Sequence, residues 1–257
     1  MLEIRNLTLA HDAHEVVTDL TLDVSPGEVT ALVGPNGVGK STLLRALFGE
    51  HRPRAGEIRL DGTPLHATRL RHWQSRIGYM PQENRGRMGL TALETVLAGS
   101  IERLALHVPE PELRRAAMAL DQFGLAEVAH RSLDALSGGQ RQLVYFAQAL
   151  LRDPRVMLLD EPVSALDLRH QHLLMEDVRR LCRGRGMITV VVLHDLNLAA
   201  RFADRLVVLG DDMAAVAGPP TRVLDDELLR RVYGVEARVG LDEDGYPWVQ
   251  VRGARRA

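Results

Sequence analysis

Cysteine and aromatic residues are scarce in this chain of 257 residues. Its single cysteine, Cys182, cannot form an internal disulfide and cannot build a cysteine metal cluster. This composition is typical of proteins from a reducing compartment, so we expect the chain to be cytosolic. Aromatic residues account for only 4% of the chain, but 46% of the residues are hydrophobic, which is enough for a large core.

Neither sign of charge dominates, and long hydrophobic runs are missing. The 32 Lys and Arg residues and the 34 Asp and Glu residues give a formal net charge of -2. This balance argues against a general nucleic-acid-binding surface, although a local basic patch is still compatible with it. No apolar run approaches the roughly 20 residues of a membrane-spanning helix, and the first residues alternate like a strand rather than a targeting signal. We therefore expect any association with a membrane to go through a partner protein.

Apolar, strand-like runs alternate with helical segments through most of the chain. This alternation predicts an α/β fold with a largely parallel sheet and helices on both faces. The runs expected to form the sheet are Val29–Val33, Ile77–Met80, Val156–Asp160, 188–193 and 206–209. Residues 2–9 and 20–24 alternate between apolar and polar types, which indicates antiparallel strands joined by a turn at 11–15. A further edge strand and turn are expected at 57–62.

A helical insert is predicted over residues 90–129, where apolar residues recur at helical spacing. The residues expected on its apolar faces are Leu93, Val96, Leu97 and Ile101, then Leu113, Ala116, Ala117 and Leu120. A second helix is expected at 141–151, and a third at 168–181. Residues 221–257 contain no motif that indicates a function.

The string GPNGVGKST at residues 34–42 has the spacing of a phosphate-binding loop. Its glycines permit positive φ angles and close backbone approach, so successive N–H groups can point at phosphate oxygens beside a helix N-terminus. Lys40 is expected to reach the β- and γ-phosphates, and Ser41 to place its hydroxyl on Mg²⁺. The alternative is a glycine-rich turn before a helix. The expected nucleotide-binding residues are Gly34, Pro35, Asn36, Gly37, Val38, Gly39, Lys40, Ser41 and Thr42.

An apolar strand at Val156–Asp160 ends in two acids, Asp160 and Glu161. Nucleotide hydrolases use such a pair beside the γ-phosphate, one acid to hold Mg²⁺ and the other to activate water. We assign Asp160 to the metal and Glu161 to the attacking water. A strand that ends in two acids usually just runs into solvent, but the phosphate-binding loop upstream favours the catalytic interpretation.

A second anion site is predicted at residues 136–140 (LSGGQ), which precede the helix at 141–151. The candidate ligands are Ser137, Gly138, Gly139 and Gln140. On its own, this string could merely turn the chain into the helix.

In this order, the motifs resemble those of the ATP-binding cassette (ABC) ATPases, and the resemblance covers residues 1–220. The phosphate-binding loop, the signature at 136–140 and the Walker B strand at 156–161 are joined by three further matches. Gln82 falls at the Q-loop, residues 164–167 match the D-loop, and His194 matches the switch histidine. Two positions depart from the usual pattern: His11 stands where an aromatic residue stacks on adenine, and Val163 stands where threonine is usual.

The resemblance implies roles for these matches, each with a plainer alternative. Gln82 would contact Mg²⁺-bound water or the γ-phosphate, but it could be a solvated loop residue. His194 would contact the γ-phosphate and hold Glu161 and the water in line, but it could be a structural histidine. Asp167 would contact the other copy in a dimer, but it could simply cap a helix.

The resemblance also implies a P-loop NTPase fold with a RecA-like core. In this division, residues 1–85 and 144–220 form the catalytic core with its antiparallel β part. Residues 86–143 form a helical subdomain that carries the signature, and residues 221–257 form a C-terminal extension. Each chain has half of each active site, so two copies should face each other head to tail. Ser137 and Gly139 of one copy then close over the ATP held by the other.

Residues 191–209 and 164–171 resemble the ATPase subunits of importers for iron chelates such as siderophores, haem and vitamin B12. This resemblance implies an ATP-driven dimer closure coupled to a membrane permease that docks on the loop between Gln82 and Gly99. It also implies a periplasmic or extracellular binding protein and a peripheral location at the cytoplasmic face of the inner membrane. The alternatives are a transporter for another cargo and a soluble ABC ATPase that acts on nucleic acid or ribosomes. The chain lacks the long coiled coils or second cassette that such soluble ATPases carry.

Overall fold

A computed structural model describes residues 1–11, 14–82, 89–99, 108–210 and 213–254. The strands are β1 (Leu2–His11), β2 (His14–Val24), β3 (Val29–Val33), β4 (Ala55–Leu60), β5 (Thr63–Pro64), β6 (Ile77–Met80), β7 (Val156–Asp160), β8 (Ile188–Val192), β9 (Arg205–Gly210), β10 (Met213–Gly218), β11 (Val235–Leu241) and β12 (Pro247–Ala254). The α-helices are α1 (Lys40–Phe48), α2 (Leu70–Ser75), α3 (Ala92–Ala98), α4 (Glu110–Gln122), α5 (Gly138–Leu150), α6 (Leu168–Arg185), α7 (Leu196–Phe202), α8 (Pro220–Val223) and α9 (Asp226–Tyr233).

A six-stranded sheet with the order β10-β9-β3-β8-β7-β6 forms the centre of the fold. Its strands are parallel except β10, which pairs antiparallel with β9. All residues of β3, β7 and β8 are buried, because both faces of the sheet are covered. Ala31 and Val33 pack into a core with α5, α6 and α7, whereas Leu32 packs into a core with α1 and the second sheet. The predicted parallel α/β fold is confirmed.

An antiparallel sheet with the order β2-β1-β4-β5 covers one face of the central sheet. The predicted turn at 11–15 is too long, because β1 continues to His11 and β2 begins at His14, where these two residues pair. The strand predicted at 57–62 begins earlier, at Ala55, and lies between β1 and the two-residue β5 rather than at the edge. Alternation locates apolar residues such as Ile58, but it does not show which strand pairs on the other side.

The helical insert packs α3, α4 and α5 around a small core of its own. Ala116 and Leu120 of α4 are buried as predicted, but Leu113 and Ala117 are exposed. The predicted apolar face of α4 is therefore too broad, since one helical stripe contacts α3 and α5 and the neighbouring positions point away. Ile101 lies outside the described residues.

Helix α5 is shared between the helical insert and the parallel-sheet core. Val144 and Ala147 pack in the core of the insert, whereas Phe146 and Ala149 pack against the central sheet. The helix is continuous through residue 143, where we divide the two subdomains. One continuous helix thus runs from the predicted signature residues into the core of the central sheet.

The C-terminal extension is fastened to α7, the helix that follows His194. The Asn197 side chain donates from Nδ2 to the Val249 carbonyl at 3.3 Å, and its Oδ1 accepts from the Val249 N–H at 2.7 Å. Arg201 lies over the Tyr246 ring, 5.3 Å from its centroid, and 3.6 Å from Asp242. The hairpin of β11 and β12 therefore covers α7, although no sequence motif indicates it.

We expect Asn197→Ala to loosen this hairpin locally. Loss of both hydrogen bonds to Val249 should cost about 1–2 kcal/mol and speed amide exchange in β11 and β12 about tenfold. Hydrogen–deuterium exchange of the intact chain measures this, with the buried strand β8 as the internal control. Asn197→Asp keeps the acceptor and should show a smaller effect. Unchanged exchange in β12 would contradict the role of Asn197 as the fastening residue.

None of the helices in the described part of the chain has both the length and the apolar character needed to cross a bilayer.

Candidate nucleotide site

The candidate site lies where adjacent parallel strands end. β3, β8 and β7 are neighbours in the sheet, and their carboxyl ends lead into the loop at 34–39, His194 and Glu161. In open parallel sheets this edge is where ligands bind. A cavity of about 510 Å³ opens there. Its lining includes the predicted residues His11, Asn36, Gly37, Gly39, Lys40, Ser41, Thr42, Gln82, Glu161 and His194, together with Val16, which was not predicted.

The loop at 34–39 needs glycine at two crowded positions. Gly34 has φ 149°, and a Cβ atom there would lie 2.4 Å from the Leu209 carbonyl oxygen. Gly39 has φ 104° and forms the N-cap of α1, where a Cβ would lie 2.9 Å from Val16 Cβ. Pro35 completes the loop, and Val38 is buried beneath it. The loop backbone can therefore pass close to the N-terminus of α1, where its N–H groups can donate to an anion.

Lys40 is buried and folded back across the loop. Its Nζ donates to the Gly34 carbonyl at 2.8 Å and to the Pro35 carbonyl at 2.7 Å. Burial lowers the pKa of Lys40, and the nearby Glu161 and Asp160 carboxylates oppose this shift. The ammonium group is thus held at the loop, where a phosphate oxygen could replace one of its carbonyl partners.

Asp160 and Ser41 fit a magnesium site. Asp160 is buried, and its Oδ1 has no hydrogen-bond partner. Burial raises the pKa of Asp160, although a hydrogen bond from the Ser41 hydroxyl acts in the opposite direction. Burial of a carboxylate oxygen without a hydrogen-bond partner is energetically unfavourable. The carboxylate and hydroxyl oxygens are of the type that coordinates Mg²⁺, so a bound ion would compensate for this cost.

Glu161 is held in an unusual backbone conformation beside His194. Its φ of 54° lies in the left-handed region, which costs a non-glycine residue about 1–3 kcal/mol and occurs preferentially at functional sites. His194 Nε2 lies 2.5 Å from Glu161 Oε1. The Glu161 side chain is only 13% exposed, whereas that of His194 is 44% exposed. The pair can therefore hold one carboxylate oxygen in place while the imidazole faces the cavity.

The signature residues lie at a separate place, at the start of α5. Ser137 caps this helix: its Oγ accepts from the Gln140 N–H at 3.1 Å, and its own N–H donates to Gln140 Oε1 at 3.1 Å. This capping box starts α5 at Gly138, three residues before the predicted start at 141. None of the residues 137–140 lines the cavity formed by their own chain.

Both the sequence and the fold match a known family. The sequence profile of ABC transporters matches residues 17–164, which is more than half of the chain. The chain belongs to the ABC transporter family.

Individual relatives support the same membership. The chain is 42% identical to the hemin import ATP-binding protein HmuV of Myxococcus xanthus (strain DK1622) over 245 residues, 93% of this chain and 91% of the relative. Its fold matches that of a protein described as a metal-chelate type ABC transporter, with a TM-score of 0.83 and 28% identity over 99% of this chain and 98% of the other. It also matches the cassette MJ0796, described as a dimer bound to ADP and Pi, with a TM-score of 0.78 and 29% identity over 86% and 99%.

The chain is therefore an ABC ATPase that binds and hydrolyses ATP. His11 and Gln82 of this ABC ATPase both line the cavity, and the Gln82 side chain is exposed there. Asp167 is the N-cap of α6, since its carboxylate accepts from the His170 N–H at 2.9 Å. The helix-cap alternative for Asp167 thus holds in this structure, and its proposed contact with a second copy stays a prediction.

Besides Val16, two residues that contact the candidate site were not found from the sequence. Gln142, on α5, contacts the Glu161 carbonyl at 2.8 Å. Tyr233, at the end of α9, is hydrogen-bonded to the Gly34 backbone; burial raises the pKa of Tyr233, and this bond opposes the shift. Both contacts join segments that are distant in sequence. No local pattern could have indicated either of them, although the S-x-x-Q capping box does indicate where α5 begins.

Proposed function

We propose that two copies of this ABC ATPase bind two ATP molecules head to tail and use their hydrolysis to drive import of haem or a related iron chelate. The observation that carries the dimer is the separation of the two halves of the site. Six residues of the phosphate-binding loop and the first turn of α1 line the cavity: Asn36, Gly37, Gly39, Lys40, Ser41 and Thr42. Ser137 and Gly139 lie at the partly exposed start of α5 and contribute nothing to it. A second copy would supply these groups in an isologous interface.

The proposed chemistry is in-line attack of water on the γ-phosphate, which yields ADP and inorganic phosphate. Glu161 accepts the proton of the attacking water, and His194 holds the Glu161 carboxylate through its 2.5 Å contact. Lys40, the loop N–H groups and the N-terminus of α1 stabilise the charge that develops on the phosphoryl oxygens.

Mg²⁺ would be held by Ser41 and Asp160, with Gln82 close to its bound water. When bound, it would neutralise phosphate charge beside the loop. The unpartnered Asp160 Oδ1 supports this assignment. Thr42 would lie near the α-phosphate, and His11 would stack on adenine.

The cargo and the partners are proposed from the relatives. The Myxococcus xanthus relative is named a hemin import ATP-binding protein, and one structural neighbour is described as a metal-chelate type transporter. We therefore propose that the chain works at the cytoplasmic face of the inner membrane with permease subunits and, indirectly, a binding protein. The permease would dock between Gln82 and Gly99, a stretch in which residues 83–88 lie outside the described residues.

Purification of the tagged chain from detergent-solubilised membranes tests this proposal. We expect a polytopic permease to accompany it, and ATP turnover of the reconstituted complex to rise when a haemin-loaded binding protein is added. The same complex with the empty binding protein is the control. Stimulation by a different cargo would overturn the haem assignment. Recovery with ribosomes or nucleic acid, and without a permease, would overturn the transport function while leaving the ATP chemistry intact.

A further inference from the structure

The side chain of Gln142 joins the signature helix to the catalytic loop. Gln142 lies on α5, five positions after Ser137, and is 9% exposed. Its Nε2 donates to the Glu161 carbonyl at 2.8 Å and to Ser164 Oγ at 3.3 Å. Its Oε1 accepts from the Ala165 N–H at 3.0 Å. The nitrogen and the oxygen of one buried amide thus both form hydrogen bonds to the loop that begins with Glu161.

The loop contacted by Gln142 is the one that sets the position of Glu161. The Glu161 carbonyl also accepts from Ser164, through its Oγ at 3.1 Å and its N–H at 3.3 Å. Ser164 therefore closes a turn that begins at Glu161, the residue whose φ is 54°. A left-handed conformation persists only where its surroundings hold it. The hydrogen bonds of Gln142 stabilise this conformation from outside the loop. A displacement of α5 would therefore shift the Glu161 backbone through the same hydrogen bonds.

We propose that Gln142 is a positioning residue that couples the signature motif of one copy to the hydrolytic site of the same copy. The inference rests on the head-to-tail dimer of the proposed function, in which Ser137 faces the ATP held by the partner. Ser137 and Gln142 lie on one continuous helix, about one and a half turns apart. Engagement of the partner's ATP at the start of α5 is therefore transmitted through Gln142 to Glu161. The two ATP sites of the dimer communicate by this route.

The matched test compares two glutamines of α5. Gln142→Met keeps the length of the side chain and removes the amide that holds the Glu161 loop. Gln148→Met makes the same change in the same helix, but the Gln148 Nε2 donates to the Thr95 carbonyl of α3 at 2.9 Å, away from the catalytic loop. Gln142→Glu keeps the acceptor for the Ala165 N–H but places an anion beside the Glu161 carbonyl.

We expect Gln142→Met to lower kcat about 10- to 100-fold, with little change in the KM for ATP, because the general base is displaced by a fraction of an ångström. Its Hill coefficient for ATP should fall to that of independent sites. Gln142→Glu should turn over at least as slowly, and Gln148→Met should keep kcat within about twofold and keep the wild-type Hill coefficient. Thermal unfolding of each variant separates these effects from loss of folded protein.

Two kinetic outcomes would overturn the inference while leaving the proposed function intact. The first is a Gln142→Met variant with wild-type kcat and Hill coefficient. The second is an equal loss of kcat in Gln142→Met and Gln148→Met, which would assign the effect to stability of α5. Dimerisation in ATP is measured separately, in a Glu161→Gln chain that retains Gln142. Failure of that chain to dimerise would overturn the proposed function and the coupling together, whereas a normal dimer with wild-type Gln142→Met kinetics would overturn the coupling alone.

Discussion

Glu161→Gln is expected to bind ATP normally and to hydrolyse it about 10²–10⁴-fold more slowly. The substitution preserves the shape of the side chain and removes the carboxylate that we propose as acceptor of the proton of the attacking water. In the proposed function hydrolysis releases the dimer, so the variant should accumulate as an ATP-bound dimer. Steady-state ATP turnover and size-exclusion chromatography with and without ATP measure the two effects.

His194→Ala is the companion variant for Glu161→Gln. His194 Nε2 contacts Glu161 Oε1 at 2.5 Å, so the two residues should act as one unit. The double variant should then be little slower than the more impaired single variant. Undiminished ATP turnover in Glu161→Gln would contradict the assignment of Glu161 as the general base. Additive losses would instead mean that His194 acts independently of Glu161.

Gly34→Ala is expected to abolish nucleotide binding and to lower the free energy of unfolding by roughly 3 kcal/mol or more. The added Cβ would lie 2.4 Å from the Leu209 carbonyl oxygen, and neither atom can move without displacing β9 or the loop. The φ of 149° adds strain for any residue with a side chain. Thermal unfolding without nucleotide and equilibrium binding of a fluorescent ATP analogue measure the two effects.

Gly37→Ala provides the matched control for Gly34→Ala in the same loop. Gly37 also has a positive φ, of 83°, but a Cβ there meets nothing within 4 Å. Its cost without nucleotide should be only the left-handed strain of about 1 kcal/mol. The difference between the two variants therefore isolates the steric contact with Leu209. Equal destabilisation would show that backbone conformation alone, rather than the close approach to β9, requires glycine at position 34.

The C-terminal extension is held to the rest of the chain by contacts between segments that are distant in sequence. Residues 221–257 contain no recognisable motif, yet their hairpin binds α7 through Asn197, and Tyr233 reaches the Gly34 backbone. The bonds between Asn197 and Val249 span 52 positions in the chain. An asparagine in a helix and a valine in a strand each look ordinary in their own segment, so the pairing is visible only once the chain is folded.

The sequence by itself determined the chemistry and the parallel sheet of this ABC ATPase. Short local patterns indicate both. A glycine-rich loop after one strand and two acids at the end of another indicate the chemistry, and apolar runs with the period of buried strands indicate the sheet. The tertiary structure alone decided which side of α4 is buried, where β4 lies in its sheet, and that Gln142 holds the Glu161 loop. These features depend on contacts between distant segments, and residue spacing does not encode which surfaces meet once the core has formed.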